Sequence, residues 1–256
     1  MKQKRDELFY RETDKINKFI FKSNINEIKI NIVVRTHLRK ENFNILLESI
    51  INQKYNNYIV HIIYDHDDSL IYINEYIKSI PYENKFKIYK MYRSSDKDAF
   101  FDLYCDNVKQ YINDGFVMYL DDDNYFISDE CLNIINQSID NNKILIWSFL
   151  RPDKLIIPNL KDIKYGEIDN CSHIFNNTIK NDSHFGDTYG SDFTFIKGLL
   201  DKHQAKQIDY TIVATQYSDQ ISHYSNYKMS DFTNSYIQLD RIDFNDYKNH
   251  YKDLQH

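Results

Sequence analysis

Apolar residues in this chain recur at two spacings, and the two alternate. IKINIVV (28–34), YIVHIIY (58–64), KFKIYKMY (85–92), GFVMYL (115–120) and KILIWSFL (143–150) are short runs rich in β-branched and aromatic residues. Such runs predict strands buried on both faces. Between them the spacing turns helical. In NFNILLESIINQ (42–53), Phe43, Leu46, Leu47, Ile50 and Ile51 share one face, and Phe101, Tyr104, Val108, Tyr111 and Ile112 do so within 98–113. Residues 70–80 read as a third helix. A further one is expected after Ser128, which would act as N-cap with Asp129 and Glu130 in the first turn. An amphipathic helix over 5–21, with Leu8, Ile16, Phe19 and Ile20 on one side, precedes the first strand and should pack on the main body.

Strand and helix thus alternate from 28 to 150, which predicts an α/β fold with a mainly parallel central sheet flanked by helices. Past 150 the alternation breaks down, apart from a helix at 193–201. Five glycines and three prolines give little punctuation, and there is no internal repeat, low-complexity linker or evident domain boundary.

Composition narrows the class only a little. A net charge of −6 offers no whole-surface attraction to nucleic acid or to an anionic membrane. Cys105, Cys131 and Cys171 have no paired metal spacing, so buried thiols in a reducing compartment are expected rather than a disulfide framework. The N-terminal MKQKRDELFYRETDK lacks an apolar core, and no window reaches the eighteen or so apolar residues of a membrane span. The expectation is a cytoplasmic, unanchored protein.

The chemistry collects at strand ends. Three strands deliver Arg35-Thr36-His37, Asp65 to Ser69, and Asp121-Asp122-Asp123 to what should be one edge of the sheet, where open α/β folds bind ligands. In an extended segment Asp121 and Asp123 point one way and Asp122 the other. Two converging carboxylates repel and raise one another's pKa, and a hard divalent cation such as Mg²⁺, bound through oxygens at about 2.0 to 2.1 Å, is the usual compensation. Such an ion also accepts phosphate oxygens. No glycine-rich phosphate loop is present, so the metal would carry that task. An aspartate run can equally just open a loop and cap the next helix.

VVRTHLRKENFNILLESIINQKYNNYIVHIIYDHDDS resembles the opening of the GT-A nucleotide-sugar glycosyltransferases, family 2 in particular. It has a strand ending in a polar turn, a helix closing on Ser49-x-x-x-Gln53-x-Tyr55, and a second strand ending in an acidic Asp-Ser turn. NDGFVMYLDDDNYF is similar to that family's metal-binding Asp-x-Asp segment. The resemblance covers roughly residues 28 to 200. It implies a GT-A fold with an N-terminal helical extension (1–27) on one glycosyltransferase domain (28–256), split into a nucleotide-sugar donor half (28–125) and an acceptor half (126–256).

The resemblance also implies roles. Arg35 and Thr36 would meet the donor's base, which Asp65, or alternatively Asp67, would accept a hydrogen bond from. Asp121 would hold the ribose and approach the metal, Asp122 would complete the nucleotide-binding set, and Asp123 would bind Mn²⁺ or Mg²⁺ directly, bridging it to the diphosphate. Within YGSDFTFIKGLL (189–200), Asp192 matches the family's catalytic base, although it could instead cap the helix that follows; Asp169 and Glu167, in YGEIDNCSHIF (165–175), are the fallback bases. His223 and His184 are candidates for a third metal ligand. The pattern departs from the family at LYCDNVKQ, where Asp106 and Asn107 stand near the usual Arg-Asn pair, and at the second-strand turn, which lacks the usual glycine.

The implied activity is metal-dependent transfer of a sugar from a nucleoside-diphosphate-sugar donor to a hydroxyl acceptor, a glycan or other, with inversion. A catalytically inactive nucleotide-sugar or glycan binding module of the same fold is the alternative. A nucleotidyltransferase would share sheet and metal, but it ordinarily needs a glycine-rich loop after the first strand, and RTHLRKEN offers none.

Overall fold

The structure, a computed structural model, describes residues 2–22, 26–92, 101–152, 154–185, 190–216 and 238–242. Helices α1 (Lys2–Asn17), α2 (Lys40–Ile51), α3 (Asp67–Lys78), α4 (Phe101–Val108), α5 (Cys131–Ser138) and α6 (Ser191–Leu200) flank one sheet. Its strands are β1 (Ile30–Thr36), β2 (Tyr58–Tyr64), β3 (Phe86–Tyr92), β4 (Phe116–Asp121), β5 (Asn124–Phe126), β6 (Lys143–Leu150), β7 (Leu155–Ile156), β8 (His173–Asn176), β9 (Gln204–Thr215) and β10 (Gln238–Ile242). They lie in the order β10-β3-β2-β1-β4-β8-β6-β9-β5, with β7 beside β6.

The neighbours β3-β2-β1-β4 are all parallel, as the alternating pattern predicts. Beyond β4 the sheet is mixed: β8 runs antiparallel to both β4 and β6, whereas β6 and β9 are parallel. β2 and β4 sit on opposite sides of β1, so strand order reverses there, and a crevice opens at the carboxyl ends of the strands. Arg35, next to the end of β1, stands in register with Asp121, the end of β4. Gly115 permits the close entry into β4: its φ is +78°, and a Cβ there would lie 2.4 Å from the Lys29 carbonyl oxygen.

Strand alternation supplies two cores. Ile32, Val34, Val60 and Ile62 join one with Phe43, Leu46, Leu47 and Ile50 of α2, while Val33 and Ile63 join the other with Tyr89, Tyr119, Phe175 and Phe195. A polar chain crosses the second. The Tyr89 hydroxyl donates to His61 Nδ1 at 2.9 Å, His61 Nε2 donates to Asn31 Oδ1 at 3.1 Å, and Asn31 Nδ2 donates to the carbonyls of Asp114 and Phe116 at 2.8 and 3.2 Å. It runs from β3 through β2 and β1 to the start of β4, and a one-residue slip of any strand would break it.

Three local expectations are corrected. Ile20 lies beyond the end of α1 and is 87% exposed; Phe9 joins Leu8 and Ile16 on the packed face of the helix, and Phe19 packs from just past its end. α5 starts at Cys131 with Glu130 as N-cap, so Asp129 and Glu130 precede its first turn, and the Ser128 hydroxyl accepts from Glu130 N–H at 3.3 Å in the turn before it. α6 starts at Ser191 after Gly190, which puts Asp192 in the first turn rather than at the cap. All three cysteines are buried and free, as expected.

Candidate active site at the strand ends

The three aspartates have three different surroundings. Asp121 closes β4 and is gripped by the Arg35 guanidinium, Nε to Oδ1 at 2.5 Å and Nη2 to Oδ2 at 2.8 Å. This two-point fork follows from the register of β1 on β4. Residues 122 and 123 form a turn rather than an extended strand, held by Asn124: its Oδ1 accepts from Asp121 N–H at 2.8 Å and its Nδ2 donates to Asp123 Oδ1 at 3.2 Å. Asp122 points inward and is 2% exposed. Its carboxylate accepts from Thr36 Oγ1 at 3.0 Å and His37 N–H at 3.2 Å, and pairs with Arg39 Nη1 at 3.1 Å. Asp123 faces outward, its side chain about a quarter exposed, with Arg39 Nη1 at 3.4 Å.

Burial, opposed by Arg39 and then reinforced by Asp121, pushes the Asp122 carboxyl up to about 6. Asp123 is also held above the ordinary carboxylate range, by burial first and by Asp121 second. A fourth acid joins from the far side of the sheet. Asp169 precedes β8 and lies 3.4 Å from Arg151; burial and then Asp121 raise its carboxyl as well. Four carboxylates and three guanidiniums therefore lie within electrostatic reach of one another around the end of β4 and the start of β8.

The remaining predicted residues surround this centre or lie apart from it. Thr36 is buried, its hydroxyl 2.7 Å from the Tyr72 hydroxyl and bonded to Asp122. The Asp65 carboxylate is fully buried against His37 Nδ1 at 2.5 Å. Asp67 is exposed in the first turn of α3, 2.5 Å from Lys90 Nζ. Asp192 is half-buried between Gly190 and Phe193. Gly190 has φ +83°, and a Cβ on it would lie 2.3 Å from the ring of Tyr165, which meets Phe193 edge-on at 5.9 Å. Glu167 follows in the same loop as Tyr165. His184 is paired with Asp106 of α4 at 3.6 Å, while His223 lies outside the described residues.

The Ser49, Gln53 and Tyr55 phrase has a structural explanation. Ser49 Oγ accepts from Phe126 N–H at 3.1 Å; Gln53 Nε2 donates to Ser128 O at 2.7 Å and Gln53 Oε1 accepts from Leu132 N–H at 2.9 Å. The Tyr55 hydroxyl reaches Ile28 O and Asn136 Oδ1. The Ser49 and Gln53 bonds tie α2 and the turn after it to the segment that follows the acid turn, and Tyr55 ties the same turn to Asn136 and to the chain entering β1. Sequence reasoning missed Gln216, just past β9, whose N–H donates to Asp123 O at 2.6 Å and whose Nε2 donates to Asn42 O at 2.9 Å. It also left Arg39 without a role, and no spacing pattern points to either.

The fold is one already seen in sugar transferases. The structure aligns with S. aureus TarS, residues 1–349 in complex with UDP-GlcNAc, at a TM-score of 0.61 and 15% identity over 78% of this chain and 62% of that one. It aligns with the mannosyltransferase PcManGT from Pyrobaculum calidifontis, in complex with GDP-Man and Mn²⁺, at a TM-score of 0.56 and 12% identity over 87% and 66%. The fold is therefore GT-A. The chain spans about 60% of the length of the TarS fragment it matches. No protein-family profile and no curated protein matches the chain.

Proposed function

We propose that the chain is a metal-dependent glycosyltransferase, moving a sugar from a nucleoside-diphosphate-sugar to a hydroxyl acceptor with inversion. The observation that carries this reading is the acid turn after β4, held at the reversal point of a GT-A sheet by guanidiniums from the β1 end and presenting Asp123 outward. Support for nucleotide-sugar chemistry comes from TarS and PcManGT, solved with UDP-GlcNAc and with GDP-Man and Mn²⁺.

The donor set suits Mn²⁺ or Mg²⁺. Among the described residues no group of three or more His, Cys, Asp or Glu forms a cage for a metal ion. A magnesium-like ion does not require one, because it is commonly held by one or two carboxylates with water and substrate phosphates completing its shell. Crowding of Asp123 by Asp121 is what such an ion relieves. Asp123, with Asp121 beside it, would hold the ion, which when bound neutralises the departing diphosphate.

The chain's own residues do the rest in this reading. Arg35 fixes the Asp121 carboxylate, and Asp122 anchors the turn from within, through Thr36 and His37. Asp65 orients the His37 ring at the mouth of the β1–β2 crevice, where the base would lie. Asp192 takes the acceptor hydroxyl's proton as its oxygen attacks the anomeric carbon. The test is calorimetry of UDP, GDP and their sugars with and without Mn²⁺. Binding that needs the metal and disappears in Asp123→Ala supports the reading; metal-independent binding, or unchanged affinity in Asp123→Ala, overturns it.

A further inference from the structure

We propose that Arg39 is a counterion that exchanges partners: it holds the acid turn before the donor binds, then gives up Asp123 to the divalent cation and turns to the donor's diphosphate. This deepens the reading of the acid turn as a cation and diphosphate site and rests on it.

Three observations carry the proposal. The first is charge. Arg35 forks onto Asp121 and Arg151 pairs with Asp169, whereas Arg39 spans two adjacent carboxylates, at 3.1 Å from Asp122 and 3.4 Å from Asp123. Among the described residues, these four carboxylates outnumber the three guanidiniums by one negative charge, and Asp122 and Asp123 are the pair that shares a guanidinium. A divalent ion at Asp123 would turn that deficit into one surplus positive charge, which attracts the two negative charges of the donor's diphosphate.

The second is geometry. The contact with Asp123 is the longer of the two, and the Arg39 side chain is about a quarter exposed, so its Nη1 can leave Asp123 while the stem stays against Asp122. A guanidinium released from one carboxylate still presents donors in a fork that fits phosphate oxygens.

The third is how the residue is aimed. Arg39 is the N-cap residue of α2, where its donor-only side chain cannot accept from the helix N–H groups, and its charge is aimed at the turn through the contacts with Asp122 and Asp123. Leu38, just before it, has φ +53° in the left-handed region that leucine rarely adopts, and Leu38 N–H donates to Ser69 Oγ at 3.0 Å, which holds the bend. Strain kept in place by a neighbouring hydrogen bond is characteristic of functional loops.

The experiment compares wild type, Arg39→Gln and Arg39→Lys by titration calorimetry with Mn²⁺ alone, and with UDP and GDP at saturating Mn²⁺. Each variant's fold is checked by its thermal transition. Removing the competing charge should make Arg39→Gln bind Mn²⁺ alone about fivefold more tightly. Losing a charge-assisted bond to the diphosphate should weaken its nucleotide binding about tenfold. Arg39→Lys, which keeps the charge and protects the fold, should bind Mn²⁺ alone as wild type does and the nucleotide about threefold more weakly, for want of the fork. Equal nucleotide affinity in wild type and both variants overturns this proposal while leaving the functional reading intact, as does weaker Mn²⁺ binding in Arg39→Gln. Failure of wild type to bind either nucleotide with Mn²⁺ overturns both.

Discussion

Replacing Asp122 and Asp123 one at a time should separate the two jobs that the acid turn combines. Asp122→Ala removes the acceptor for Thr36 Oγ1 and His37 N–H and one of the two carboxylates that face Arg39, all in a site that is 2% exposed. Buried donors left unpaired cost about 1–3 kcal/mol each, and a broken buried ion pair costs about 3–5 kcal/mol. Those terms overlap, because one carboxylate serves all three partners, so the gross loss is about 5 kcal/mol. Against it stands the desolvation that raises the Asp122 carboxyl to about 6, a cost of about 3 kcal/mol at pH 8 that alanine does not incur. The net is a loss of about 2 kcal/mol, or a fall of about 6 °C in Tm for a chain of this size.

Asp123→Ala should behave in the opposite way. Its side chain is partly exposed, its guanidinium contact is long, and Asp121 repels it, so stability should stay within about 1 kcal/mol of wild type. Thermal unfolding at pH 8 followed by circular dichroism, with nucleotide calorimetry on the same samples, reads both quantities. Asp122→Ala should lose stability and Asp123→Ala should lose Mn²⁺-dependent nucleotide binding. A Tm for Asp122→Ala within about 2 °C of wild type, or an equal fall in both variants, would refute the division of labour.

Other outcomes are expected. Gln53→Ala strands Leu132 N–H and Ser128 O together and should cost about 2 kcal/mol, read as a lower urea midpoint with an unchanged slope. Asp192→Ala should retain nucleotide binding while sugar transfer, followed by nucleoside-diphosphate release, is lost; retained transfer moves the base to Asp169 or Glu167. His173 is fully buried, and burial lowers its pKa to about 4, below the unfolded value of about 6.5. Its neutral form therefore supports the fold above pH 6.5, and that support is lost as the pH falls toward 4. Wild type should lose about 2 kcal/mol more than His173→Phe between pH 7.5 and 5, and the difference between the two curves isolates this group from the raised aspartates, whose effect has the opposite sign.

The strands and most helices were legible because each states its own period. KILIWSFL needs no partner to be read as a buried strand, and α2 carries its apolar face in its own spacing. Local competition blurred the ends. Ser128 looks like a cap because a serine precedes two acids, yet its hydroxyl is used in a turn and the helix starts at Cys131. Ile20 fits the face of α1 only if the helix continues, and it ends at Asn17. The acid turn was visible as chemistry, but its inner wiring was not. Strand alternation sends Asp122 away from its neighbours without saying that Thr36, His37 and Arg39 wait for it some 83 to 86 residues earlier in the chain. Gln216 is still harder to see, because nothing in its own neighbourhood marks a residue that matters only where the sheet closes.

The closure of that sheet makes the site a single electrostatic unit rather than a set of adjacent parts. Arg35 and Asp121 lie 86 residues apart but in register, so forming the β1–β4 pair also forms the ion pair. β8 then runs antiparallel to β4 and brings Asp169 to the same carboxylate, and burial leaves little water to screen them. Asp121 consequently appears among the groups that raise Asp122, Asp123 and Asp169 alike. Any charge placed on the turn from one side is felt at Asp169 on the other, and the mixed half of the sheet supplies that connection. Antiparallel β8 starts from the edge at which β4 ends, and β6, antiparallel to β8, ends at that edge, so the mixed half of the sheet brings Asp169 and Arg151 together beside the turn.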